Sequence, residues 1–179
     1  MKTAPILMFM SFAMGAASQD AAKPSMHAQC TFSDGSTISF GRKTSGTATA
    51  GADSWRAGDY EATTFRVSER MMIPPMESPV EIPAGSYTLF VADKGEPPWT
   101  LIVSQKTGPW GMAYPGEQYD LGRTSLGSDI QSPTKKFAMG CLQHENAPIF
   151  VCIRSGRYIG YAKIMAVKFT EGKTEYFWH

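Results

Sequence analysis

Beyond residue 18, no apolar repeat at 3.6-residue spacing persists for three turns anywhere in this 179-residue chain. A surface helix of ordinary length needs such a stripe to bury one face. What recurs instead is short apolar runs about ten residues apart, broken by Gly, Pro and Ser. That pattern predicts an all-β, single-domain antiparallel β-sandwich or flattened barrel with long Gly/Pro-rich loops.

The runs place the strands. Thr37-Ile38-Ser39-Phe40 alternates as a strand does, and residues 62–67 and 70–73 read as strand segments. Pro74-Pro75 and Pro79 bar a central ladder, so 74–79 is a turn or crossing loop. Residues 87–92 and 99–104 are aromatic and β-branched and predict a hairpin around 93–98. A second hairpin is expected from 149–154 and 158–169, turning at Ser155-Gly156-Arg157. A turn at 171–173 leads into a last strand, 174–178. Residues 41–54 read as a loop, and Gly/Pro-rich 106–133 as a long ordered loop, a class that is often functional.

Residues 1–18 have the form of a secretory signal peptide. Lys2 supplies the positive start, residues 4–17 are uncharged and mostly apolar, and Ala16-Ala17-Ser18 offers small residues for cleavage after Ser18. The apolar run is shorter than the ~20 residues a membrane-spanning helix needs. A secreted or periplasmic location is expected, with 19–28 a flexible leader, 29–179 the domain, and no membrane insertion after cleavage. Cleavage leaves 161 residues and removes one of 17 basic side chains, so 16 bases face 16 acids. A neutral balance argues against nucleic acid or an anionic membrane as partner. In an oxidising compartment any two of Cys30, Cys141 and Cys152 can pair and leave one over, or all three can remain buried thiols.

One stretch is more specific. Trp55-Arg56-Ala57-Gly58-Asp59-Tyr60-Glu61-Ala62-Thr63-Thr64 is followed by Pro83-Ala84-Gly85-Ser86-Tyr87-Thr88-Leu89-Phe90. Then come Trp99-Thr100-Leu101-Ile102-Val103, Trp110-Gly111 and Asp120-Leu121-Gly122-Arg123. This order, mainly over residues 55–126, resembles a divergent member of a family of secreted bacterial proteins, domain of unknown function 2911. The resemblance implies a compartment and a fold neighbourhood. It implies no reaction.

Several constellations carry chemistry. Arg56 and Glu61 stand on either side of Gly58. A guanidinium suits carboxylates and phosphates through its planar donor fork, so Arg56 can clamp an anion while Glu61 accepts hydrogen bonds; alternatively the two form an ion pair that pins a loop. Trp99, Trp110, Tyr114 and Tyr119 can offer a stacking platform or seal a sandwich edge. The candidate ligand-binding residues are Arg56, Glu61, Trp110 and Tyr114. Met71, Met72 and Met76 are soft thioethers of the kind that suits Cu(I) but more often fill gaps in a core. His27, His144 and His179 are too scattered for a zinc site. There is no nucleophile elbow, phosphate loop or dinucleotide fingerprint, so no catalytic residue, metal or cofactor is assigned. The expected role is a non-catalytic binding or structural module for an unknown small molecule or protein. The alternative is a small hydrolase with Glu61 as general base and Arg56 stabilising an anion.

Overall fold

The computed structural model describes residues 26–41, 63–92, 96–108 and 114–179, with the side chains of 134–137 left aside. The expected sandwich is there: among the described residues the strands are antiparallel, in three sheets, with no closed barrel.

The largest sheet has six strands in the order β1-β2-β3-β6-β7-β8. These are β1 (Gln29–Thr31), β2 (Thr37–Phe40), β3 (Thr63–Val67), β6 (Gly85–Ala92), β7 (Thr100–Ser104) and β8 (Asp120–Ser125). The second sheet, order β12-β11-β4-β5, has β4 (Met71–Ile73), β5 (Val80–Ile82), β11 (Met165–Thr170) and β12 (Lys173–Phe177). Residues 74–79 are the turn between β4 and β5, as their prolines require. β6 and β7 form the expected hairpin, pairing from Thr88↔Ser104 to Ala92↔Thr100.

Side-chain alternation along each strand builds the core. Phe65, Leu89, Leu101 and Val103 face inward from the first sheet; Met71, Ile73, Val80, Ile82 and Ala166 meet them from the second. Trp99 lies fully inside, its ring edge against Tyr158.

A two-stranded ribbon, β9 (Gly127–Leu142) and β10 (Phe150–Lys163), adds Met139, Val151, Ile153 and Ala162 to that core, with Ile149 and Ile164 just outside the ends of β10. A straight strand of β10's 14 residues would run about 46 Å. Its ends nevertheless meet: the Phe150 and Tyr161 rings are 5.9 Å apart, and the Ile164 amide donates to the Ile149 carbonyl at 3.0 Å. The ribbon therefore doubles back. The bend falls at Ser155-Gly156-Arg157, where two register shifts set residues 130–138 of β9 against only 154–158 of β10. Extra residues on the outer strand let a ribbon bend, and Gly156, at φ 53°, takes a left-handed conformation that other side chains rarely adopt.

This corrects two sequence expectations. Residues 155–157 do not end a hairpin between 149–154 and 158–169: residues 150–163 are one bent strand paired with β9, and 165–169 belong to β11 in the other sheet. Residues 106–133 are not one long loop. They include a 3-10 turn at Glu117–Tyr119, all of β8 and the start of β9. Those strands are Gly-, Ser- and Asp-rich because β8 is an edge and this part of β9 is exposed, so neither needed an apolar alternation.

The first and last of the described residues are sewn to the frame. Cys30 of β1 and Cys141 of β9 form a disulfide, while Cys152 is a buried free thiol that burial pushes up to about 12. Backbone pairing begins ahead of residue 29: His27 and Cys141 exchange hydrogen bonds at 2.8 and 2.9 Å. The Ser33 amide donates to the carbonyl of His179 at 2.6 Å.

Candidate functional site

The outer face of the six-stranded sheet carries an unusual order of side chains. Strand register aligns Thr64, Thr88, Ser104 and Asp120 in one row across β3, β6, β7 and β8. The next row runs Phe90, Ile102, Arg123. Thr88 and Ser104 are buried, as are Phe90 and Ile102, so this part of the face is not an ordinary solvated one. Ser104 is satisfied locally: its hydroxyl donates to the Tyr119 carbonyl at 3.3 Å and accepts from the Lys106 amide at 3.2 Å.

Tyr114 closes the end of these rows. Its ring packs edge-on against Phe90 at 5.4 Å and covers the Phe90–Ile102 island. Its hydroxyl donates to the Asp120 carboxylate, both oxygens at 2.9 Å, and accepts from the Arg123 guanidinium at 2.6 Å. Arg123 also donates to Asp120 through Nε at 2.6 Å and pairs with exposed Glu117 at 3.1 Å. Burial, followed by the Asp120 carboxylate that accepts its proton, raises the Tyr114 hydroxyl above the ordinary tyrosine value, against the opposing pull of Arg123. The hydrogen bond to Asp120 raises Arg123 in turn. Two carboxylates surround one guanidinium, so Arg123 is neutralised within the protein and is no open anion clamp. Chemically the triad is a lock: the Tyr114 hydroxyl both donates and accepts within it, and so holds Tyr114 in place.

The Asp120-Leu121-Gly122-Arg123 motif makes sense in this setting. Asp120 and Arg123 form the lock, and Leu121 turns to the core. Gly122 is where β5 crosses closest: a Cβ there would lie 2.7 Å from Val80. The Pro83-to-Tyr87 block has a similar logic, since the Tyr87 hydroxyl donates back to the Pro83 carbonyl at 2.8 Å.

Of the four expected ligand-binding residues, Tyr114 is in place in the lock. Arg56, Glu61 and Trp110 lie outside the described residues, so the hydrolase reading gains no observation. Asp120, Arg123 and Glu117 are the partners that sequence reasoning did not single out; the Asp-Leu-Gly-Arg spacing, with opposite charges three apart, was the available signal. Among the other aromatics, Trp99 is core, and Tyr119 is exposed with the Lys106 ammonium 5.4 Å above its ring. Met71 and Met72 point to opposite faces of β4, one into the main core and one into a cluster with Met165 and Val167, and do not converge. Among the described residues no group of His, Cys, Asp and Glu is placed to hold a metal ion, and no helix is long and apolar enough to cross a membrane.

Residues 23–151 match the family described as protein of unknown function (DUF2911). The match is wider than the 55–126 stretch that carries the sequence resemblance, and it includes both cysteines of the disulfide. No curated protein and no solved structure matches the chain significantly. The lock, the Gly122 crossing and the Tyr87 corner fall on the motifs by which the resemblance is recognised, and with the match covering most of its length, the chain belongs to the DUF2911 family.

Proposed function

We propose that this is an exported, non-catalytic binding module whose ligand site lies on the outer face of the six-stranded sheet. The observation that carries this reading is the Tyr114–Asp120–Arg123 lock. It consumes three polar side chains to hold one chain segment at the end of a partly polar, buried row. Trp110 lies four residues before Tyr114 in the sequence. Glu61 lies three residues before Thr64 in the sequence, and Thr64 stands in the hydroxyl row about three strand spacings, or ~14 Å, from Asp120. Arg56 and Glu61 supply the charged contacts in this reading, Trp110 the stacking one, and Tyr114 the positioning. The protein is exported by residues 1–18, with cleavage after Ser18 and 19–28 as leader to the domain at 29–179; a disulfide suits an oxidising compartment.

Two measurements test it. N-terminal sequencing of the exported protein should begin at Gln19; an uncleaved chain would overturn the export reading. For the site, thermal denaturation of residues 19–179 would be followed against panels of small carboxylates, phosphates and saccharides. A ligand that raises the wild-type Tm but not that of Arg56→Met, Glu61→Gln or Trp110→Ala supports the site. If ligands that stabilise the wild type stabilise all three variants equally, the site is elsewhere.

A further inference from the structure

Each of the two larger sheets ends in edge strands, and an edge left open is a template for another strand. β5 and β8 cross and close each other at Gly122 and Thr124. β1 is held by the His27–Cys141 bridge and by Gln143, whose side-chain carbonyl accepts from the Thr31 amide at 3.2 Å. That leaves β12. Glu171 (φ 50°) and Gly172 (φ 78°) make the two-residue turn that leads into it. The flanking pair Thr170↔Lys173 therefore exchanges both backbone hydrogen bonds, and bonded and non-bonded pairs alternate from there. Lys173, Glu175 and Phe177 aim their backbone groups at β11. Thr174 and Tyr176 aim theirs away from it, and among the described residues these groups meet no backbone partner. The alternation continues at the far end, where the Trp178 carbonyl accepts from the Ile149 amide at 2.6 Å. Thr174 and Tyr176 are both exposed, so this edge is open to solvent.

We infer that two copies of this chain pair edge to edge through β12, antiparallel about a two-fold axis at Thr174. The charges of the strand select that occupant and that register. With Thr174 opposite Thr174 of the second copy, Lys173 of each chain faces Glu175 of the other, so two opposite-charge pairs form across the edge. An axis at Glu175 would set two carboxylates at the closest cross-strand spacing, and like charges directly opposite are destabilising. An axis at Tyr176 needs the Trp178 carbonyl, which the Ile149 amide already occupies. At Thr174 the two threonines exchange both of their outward backbone bonds. Tyr176, 39% exposed, then lies opposite Gly172 of the second copy, where a Cβ would meet nothing within 4 Å. A foreign strand would have to bring a carboxylate for Lys173 and a cation for Glu175, whereas this strand is its own complement. Two-fold pairing closes a dimer and leaves no end to propagate. The edge belongs to the other sheet from the proposed ligand site, so either reading can fail alone.

The test is sedimentation velocity of residues 19–179 at protein concentrations from about 1 μM to about 1 mM. A five-residue edge buries less than a standard interface, so the expected dimer is weak and reversible, with no larger species. Lys173→Glu sets carboxylate against carboxylate in both pairs and should weaken association about tenfold. Lys173→Glu/Glu175→Lys restores both pairs and should return the affinity to within about twofold of wild type. Thr174→Pro removes only an outward N–H, a place where an edge strand tolerates proline, and should abolish the dimer. Circular dichroism would check the fold of each variant; if Thr174→Pro does not fold, the charge series decides alone. A monomer at every concentration would overturn the inference, and so would a ladder of larger species. It would equally be overturned by a dimer that folded Thr174→Pro leaves intact, as a foreign contact surface would, or by a charge swap that does not restore what Lys173→Glu loses.

Discussion

Two residues show how single side chains are committed. Asp34 sits in the turn between β1 and β2 with its side chain only 3% exposed, paired with Lys168 of β11 at 3.0 Å. Burial alone would raise its carboxyl, but the Ser36 hydroxyl at 2.6 Å, the Ser36 amide at 2.9 Å and the Lys168 ammonium outweigh burial and hold it below the ordinary value. A lowered carboxylate stabilises the fold fully above the unfolded value near 3.8, and that contribution is lost as pH falls through the folded value. Thermal melts across the acid range should therefore drop more steeply below about pH 4 for the wild type than for Asp34→Asn; parallel curves would show that Asp34 carries none of the acid sensitivity. Tyr114 is the second case. Removing its hydroxyl deprives Asp120 of one donor and Arg123 of one acceptor at a half-buried site. Tyr114→Phe should cost about 1.5 kcal/mol in urea denaturation, at the low end for bonds to charged groups. It should also weaken any ligand that depends on Trp110, which a purely local hydrogen bond would leave alone.

At the level of elements, the sandwich is closed at one edge by β5 crossing β8. Gly122 allows the approach, and the Thr124 hydroxyl ties the crossing by donating to the Pro74 carbonyl at 3.2 Å. Gly122→Ala puts a methyl group 2.7 Å from Val80 Cγ1, with backbone on one side and core on the other. The expected loss is about 1–3 kcal/mol, as for other overpacked cores, read as a lower urea midpoint with unchanged slope. An unchanged midpoint would mean that the two strands separate freely. The β6–β7 hairpin, β2 and the last turn and strand were legible in sequence because each alternates and is bounded by turn residues. The β9–β10 ribbon was not. Gly156 marks equally well a turn that ends a strand or a bulge that bends one, and only its pairing with the distant Thr134 distinguishes them.

At the scale of the molecule, the disulfide joins β1 to β9 across 111 residues and ties the N-terminal strand to the ribbon. In the chain-entropy account a loop of that size is worth about 4–5 kcal/mol. Cys30→Ala, or reduction of the wild type, should lower unfolding free energy by that order in urea, while Cys152→Ser, which breaks no bridge, should cost less. Equal losses would argue that the bridge contributes little. The sequence by itself determined the all-β class, the single domain, the family and the short local strands, because alternation and turn chemistry act between neighbours along the chain. It left three cysteine pairings open and its charges averaged to zero. Only the tertiary structure decided that Cys30 meets Cys141, that Tyr114 is locked between Asp120 and Arg123, and that the β9–β10 ribbon bends at Gly156. Each of these depends on which strands lie side by side, and that is settled by burial of the whole core rather than by any local run of residues.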